Sequence, residues 1–276
     1  MIIAKIVFGT ARSTPEVDGA DVAEAYLVSL VRNGQVHEYL LSSTARSVEA
    51  FVELPRPNAL STKHLSKWGR NELRNVRRAF GREPSTSLVA PPVRRRWPSW
   101  QSADALYLFT HAFDRQSPMC AFNSREPLPL YTLPISDQLR EKVWSWAVAY
   151  RDLDRVWLGS GPLEMAAYKQ LADPSSHLSR EGRDLCAKIG RATRRRTYYY
   201  LTRYYGRQRN DDARPCPGCG GEWHVVHHHP KTTKFAQFEF CCRRCRLVSH
   251  TASSPDGGRE ARIGEFQSTR RGPTKQ

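Results

Sequence analysis

Cys216-Pro217-Gly218-Cys219 and Cys242-Arg243-Arg244-Cys245 each set two thiols three positions apart, the spacing at which a tight turn can aim both at one ion. The intervening stretch fits a β-hairpin, with Glu222 to His227 and Lys234 to Phe240 as strands and a turn near Pro230. Two such knuckles joined by a hairpin make a zinc ribbon, in which Cys216, Cys219, Cys242 and Cys245 hold one structural Zn2+. So short a segment cannot bury enough apolar surface to offset its conformational entropy. Metal binding, worth about 10–16 kcal/mol in small structural sites, supplies the difference. Cys242 repeats the spacing of the first knuckle, whereas Cys241 would lengthen it by one residue. Neighbouring strand residues face opposite sides, so Cys241 is expected to point away from the ion. His224, His227, His228, His229 and His250 lie nearby, but four thiolates already close a tetrahedral shell and leave no position for water. The histidines are therefore read as turn or strand residues. Redox use of one cysteine pair is the rival reading.

Immediately upstream, Arg194 to Arg209 interleaves arginine with tyrosine and reads as a strand. Arginine pairs with phosphate through two parallel hydrogen bonds, and tyrosine can stack on an unpaired base for about 1–3 kcal/mol. The candidate nucleic-acid contacts are Arg194, Arg195, Arg196, Tyr199, Arg203, Tyr205, Arg207 and Arg209. Arg243, Arg244 and Arg246 join them from the second knuckle. In the alternative, one tyrosine face packs on the preceding helix and only the arginines reach solvent.

The charge supports a polyanionic partner. The chain of 276 residues carries a formal net charge of +16, and residues 176–276 alone hold 21 Lys and Arg against 9 Asp and Glu. A basic region of this kind is the electrostatic footprint of nucleic acid. Arginine far outnumbers lysine, so genomic base composition is a competing explanation. Seven cysteines, five of them between Cys216 and Cys245, favour metal over disulfides in a chain whose apolar start is too short for a leader. No apolar run is long enough to span a bilayer. The expected location is the cytoplasm, without membrane association.

These residues must be positioned by an α+β chain. The expected organisation is an N-terminal α/β region (1–92), a mainly helical middle region ending in the Arg/Tyr strand (103–205), the zinc ribbon (214–250) and a disordered basic tail (251–276). Strands are predicted over 2–9, 36–42, 47–54 and 105–111. Helices are predicted over 21–32, with Asp21 and Glu24 as a capping box, and over 70–80. Ser136 caps a long helix with a stripe at Leu139, Val143, Trp146, Tyr150 and Leu153. A shorter helix to about Leu171 and another over 179–193 follow. The proline-rich stretch 83–102, with Arg94-Arg95-Arg96-Trp97-Pro98, is the linker candidate.

The set Leu171-Ala172-Asp173-Pro174-Ser175-Ser176, Gly182-Arg183, Tyr198-Tyr199-Tyr200-Leu201 with Arg203, and Cys245-Arg246-Leu247-Val248-Ser249 resembles a bacterial family of unknown function. Its members are described as zinc-ribbon proteins and candidates for nucleic-acid binding. The resemblance covers about residues 103–250. It also implies extra cysteines near Ser117-Pro118 in some relatives, where this chain has Cys120 alone.

No nucleophile–base pair, phosphate loop or paired carboxylates stand at convincing spacing. Gly159-Ser160-Gly161 lacks the flanks of a hydrolase elbow. The sequence thus predicts a binding protein and not an enzyme: one that contacts nucleic acid without sequence preference through the ribbon and the basic aromatic strand. The alternative is a protein–protein adaptor in which the ribbon is a structural clip.

Overall fold

A computed structural model describes residues 2–12, 18–44, 46–91, 97–124, 126–225, 238–254 and 258–267. In chain order the elements are β1 (Ile2–Gly9), α1 (Gly19–Arg32), β2 (Glu38–Ser43), β3 (Val48–Leu54), α2 (Lys67–Phe80), β4 (Ser85–Leu88), β5 (Ala105–Leu108) and β6 (Met119–Ala121). Then follow α3 (Asp137–Leu158), α4 (Glu164–Ala172), α5 (His177–Thr193), β7 (Arg196–Tyr200), β8 (Phe240–Cys242) and β9 (Leu247–Ser249). Helices and two sheets together make the chain α+β.

Two compact units divide it. The first takes 1–102 with 114–121 and 125–145, and the second takes 103–113, 122–124 and 146–276. The expected middle region is therefore shared between them. Polar contacts explain why 125–145 joins the first unit: the Lys67 amide donates to Asp137 Oδ2 at 2.7 Å, and Arg140 Nη1 donates to Asn33 Oδ1 at 2.7 Å.

In the first unit the sheet order is β2-β3-β1-β4, every neighbouring pair antiparallel. With α1 and α2 between the strands, the N-terminal α/β region takes the split β-α-β-β-α-β arrangement of ferredoxin-like folds. Alternation builds it. Ile2, Ala4, Ile6 and Phe8 of β1 and Val48, Ala50, Val52 and Leu54 of β3 point into one core. Ala23, Leu27 and Leu30 of α1 and Leu73, Val76 and Phe80 of α2 cover them. Helix α1 starts earlier than its capping box suggested, because Asp18 Oδ1 accepts from the Ala20 amide at 2.8 Å. Strand β4 lies inside the presumed linker. Its residues are all exposed, so no alternation marked it, yet it pairs with β1 from Ala4↔Leu88 to Val7↔Ser85.

The second unit is built on strands in the order β5-β7-β9-β8. Strand β7 is parallel to both neighbours, and β8 returns antiparallel to β9. Alternate residues of β7 do face opposite sides, and both sides are covered. Tyr199 meets Trp146 of α3, with ring centroids 6.0 Å apart, and Ser179 of α5. Tyr198 and Tyr200 meet Phe122, Phe109 and Phe238 on the other face. A strand buried on two sides reads as a continuous run, which is why three consecutive tyrosines occur there. The regular strand ends at Tyr200, earlier than expected.

Part of the tail expected to lack structure is packed. Residues Arg259–Arg262 form a helical turn, Ala261 is buried, and Glu265 reaches Arg207 at 2.8 Å. Among the described residues no helix is long and apolar enough to cross a membrane.

Candidate metal centre

The first knuckle is a backbone device. The Gly220 amide donates to the Cys216 carbonyl at 2.8 Å, and the Cys216 amide donates to the Gly221 carbonyl at 2.7 Å. Gly220 has φ of +72°, a left-handed conformation that glycine adopts without strain. Gly218 allows the second knuckle to approach, since a Cβ there would lie 2.8 Å from Cys245 Sγ.

Register sets the second knuckle. Cys242 pairs with Leu247 and Cys241 with Val248 across β8 and β9, so the two adjacent cysteines face opposite sides. Cys242 turns toward the first knuckle, and Cys241 does not belong to the cluster. The sulfurs of Cys216, Cys219, Cys242 and Cys245 all lie within 4.8 Å of one another. Cys219 Sγ and Cys242 Sγ are 3.7 Å apart. A tetrahedral zinc with Zn–S bonds of about 2.3 Å requires sulfurs about 3.8 Å apart, so the set fits such an ion. The separation also excludes a disulfide between those two sulfurs.

The electrostatics point the same way. Burial pushes the Cys216 thiol up and the Cys245 thiol up to about 12, while the Gly221 amide holds Cys219 down to about 7. Cys216 and Cys245 on their own would keep their protons at neutral pH. A cation makes four thiolates compatible. The Cys245 amide also donates to Cys242 Sγ at 3.3 Å, the kind of outer contact that fixes a ligand.

The cluster is joined to the main sheet. The Tyr199 amide donates to the Arg246 carbonyl at 2.8 Å, and the Leu201 amide donates to Val248 at 2.9 Å. The base of the expected hairpin is present, with His224 bridged to Phe240 and the Val225 amide donating to Glu239 at 2.7 Å. Residues 226–237, which include the turn near Pro230 and His227, His228 and His229, lie outside the described residues. His224 packs at a tilt against Phe240, and His250 Nδ1 lies 3.1 Å from the Tyr200 hydroxyl; neither joins the sulfur cluster.

The candidate contacts upstream separate into two groups. Arg194, Arg196 and Arg209 are exposed, as are Arg243, Arg244 and Arg246, while Arg195 is half-buried. Tyr199 and Arg203 are corrected: both are buried and unavailable to a ligand. Helix α5 and α3 cover Tyr199, and Arg203 pairs with Asp211 while its guanidinium lies 4.4 Å from the Phe240 ring centre. Tyr205 donates its hydroxyl to Glu164 at 3.1 Å, and Arg207 is held by Glu265. Reading by residue type alone missed Arg214, which is buried and donates to the Ala261 carbonyl at 2.6 Å while sharing Asp211 with Arg203. This ion-pair group ties the segment before the first knuckle to residues 258–267.

Residues 100–202 match a domain of unknown function (DUF2310), and residues 206–254 match another (DUF8594). Two uncharacterized proteins of Haemophilus influenzae are each 32% identical over 155 residues, which is 55% of this chain. The matched stretch spans 56% of one relative and 71% of the other. No solved structure matches the chain.

Proposed function

The chain belongs to the same family as these Haemophilus influenzae proteins, and with that family's function unknown we propose, from its own residues, a zinc-stabilised protein that contacts nucleic acid with little sequence preference. Cys216, Cys219, Cys242 and Cys245 would hold the Zn2+ of a zinc ribbon. The ion supplies a cross-link with no vacant coordination position, so the role is structural. The cytoplasm suits this reading, because thiols stay reduced there. The observation that carries it is the convergence of four sulfurs inside a surface rich in arginine. Arg194, Arg196, Arg243, Arg244 and Arg246 are exposed and form no ion pair among the described residues.

Metal content tests the first half. The purified chain should carry about one zinc, which Cys216→Ser/Cys219→Ser abolishes and Cys241→Ser retains, as read by mass spectrometry of the native protein. Loss of zinc in the Cys241 variant would show that the ligand set is wrong. Fluorescence anisotropy with labelled single-stranded and duplex oligonucleotides tests the second half. Affinity should fall steeply with salt, each neutralised phosphate adding about 0.7–0.9 to the log–log slope. No binding at low salt overturns the nucleic-acid reading and leaves the protein-adaptor role.

A further inference from the structure

Helix α5 buries Leu178, Gly182, Leu185, Cys186 and Ile189 against the sheet. The opposite stripe carries Arg180, Arg183 and Arg191, with the small Ala187 between the last two. These arginines face a cleft of about 740 Å³ whose other wall is the second knuckle, with Arg244 and Arg246. None of the five forms an ion pair among the described residues. The acidic lining residue, Asp184, is engaged by Lys188 one turn along the helix.

The charge exceeds what the cysteines need. A divalent ion on four thiolates leaves two net negative charges, which Arg244 and Arg246 beside the knuckle can balance. Three guanidiniums on α5 remain unopposed. Arg246 is also unusual in its backbone. It follows Cys245 as Gly220 follows Cys219, and both residues are left-handed, with φ of +54° and +72°. Glycine fills that position without strain in one knuckle; in the other an arginine accepts the strain and sends its guanidinium toward α5, where Nη1 would be 3.5 Å from a Cβ on Gly190.

We propose that this cleft is the seat of a nucleic-acid phosphodiester backbone, gripped by Arg180, Arg183 and Arg191 from the helix and Arg244 and Arg246 from the knuckle. The assignment rests on the nucleic-acid reading above and gives it a site distinct from the strand the sequence had singled out. Phosphate suits the fork of a guanidinium, which takes it through two hydrogen bonds. From Arg180 to Arg191 the helix rises about 17 Å, enough for several consecutive phosphates along a strand. A protein partner is disfavoured by the wall chemistry. Besides the arginines the cleft is lined by Asp184, small residues and ligand cysteines, and its aromatic residue, Tyr199, is fully buried, so no exposed aromatic or aliphatic anchor of the kind protein interfaces are built around stands in it.

The test uses the full-length, zinc-loaded chain and two fluorescent probes, a 20-nucleotide oligo-dT and a 20-base-pair duplex of mixed sequence, titrated across a potassium chloride series. The variants are Arg180→Gln/Arg183→Gln/Arg191→Gln, a control Arg74→Gln/Arg78→Gln on α2, and Arg246→Gly. The triple variant should weaken binding at least tenfold at low salt and lower the log–log slope by about two. The α2 control should stay within twofold of the native chain. Arg246→Gly should lose affinity while melting no lower, because it removes the charge and relieves the left-handed residue. If the native chain binds neither probe, the nucleic-acid reading itself fails, and the cleft assignment with it. If the native chain binds but the triple variant and Arg246→Gly keep its affinity and slope, that reading stands and the cleft assignment alone is overturned. Tighter binding of an acidic decapeptide than of either oligonucleotide, lost in the triple variant, would assign the cleft to protein and overturn it as well.

Discussion

Two guanidiniums sharing one buried carboxylate make Asp211 the residue on which the surroundings of the first knuckle depend. Arg203, Asp211 and Arg214 keep only 7%, 12% and 6% of their side chains exposed. Burial lowers the pKa of Arg203, and the neighbouring Arg214 lowers it further, while Asp211 works in the opposite direction. Asp211→Ala leaves two buried cations without their shared partner and should cost about 3–5 kcal/mol in chemical denaturation. Tyr199→Ala should cost a similar ~3–5 kcal/mol, because it empties a site between α3, α5 and the sheet, and it should leave the salt slope of oligonucleotide binding unchanged. An unaltered melting temperature with a weakened single-stranded complex would instead return Tyr199 to the role of a stacking platform. At this scale the cysteines were legible because their geometry is local: two-residue spacing makes a turn wherever it occurs. Tyr199 and Arg203 were not, because burial depends on helices and strands distant in sequence. Asp211 lies in an unpatterned segment and finds its partners through the fold.

Among the elements, β9 decides how the cysteine cluster communicates with its surroundings. A ribbon that owed its stability to the ion alone would unfold on chelation and leave the helices intact. Instead β9 lies between β7 and β8, so the second knuckle feeds directly into the sheet that packs on α5. Chelation should therefore expose the Tyr199 and Leu201 amides to hydrogen exchange, since their acceptors are Arg246 and Val248. Amides of β1 and β3 should keep their protection and serve as the internal reference. Intact protection at Tyr199 after complete metal removal would show that β9 holds without the ion. Acid should act like chelator. Metal binding displaces thiol protons, and burial raises Cys216 and Cys245 while Cys219 is held down to about 7, so affinity should drop as the pH falls below neutral. Zinc retained unchanged at pH 5 would contradict a four-thiolate site. Helices with one apolar stripe, such as α3 and α5, were legible to within a few residues. The exposed edge strand β4 and the helical turn Arg259–Arg262 were not, because pairing to β1 holds the one, and Arg214 on the Ala261 carbonyl with the Arg207–Glu265 ion pair holds the other, rather than a periodic apolar face.

Across the whole molecule, sequence order and sheet order disagree, and that has a consequence for how the chain is made. Strand β7 is complete at Tyr200, but its neighbour β9 begins only at Leu247. At ~5–20 residues per second, the ribosome takes roughly 2–9 seconds to deliver the second strand after the first. Throughout that interval the Tyr199 and Leu201 amides lie on an open edge, a template on which another chain can add. Under the proposed zinc reading, the ion then acts as a chaperone of its own sheet by pulling the last knuckle into register. Cells starved of zinc during expression should accordingly yield more of this protein in the pellet than in the supernatant. Zinc restored before induction should reverse that partition, and zinc added after lysis should not, because by then the edges have found one another.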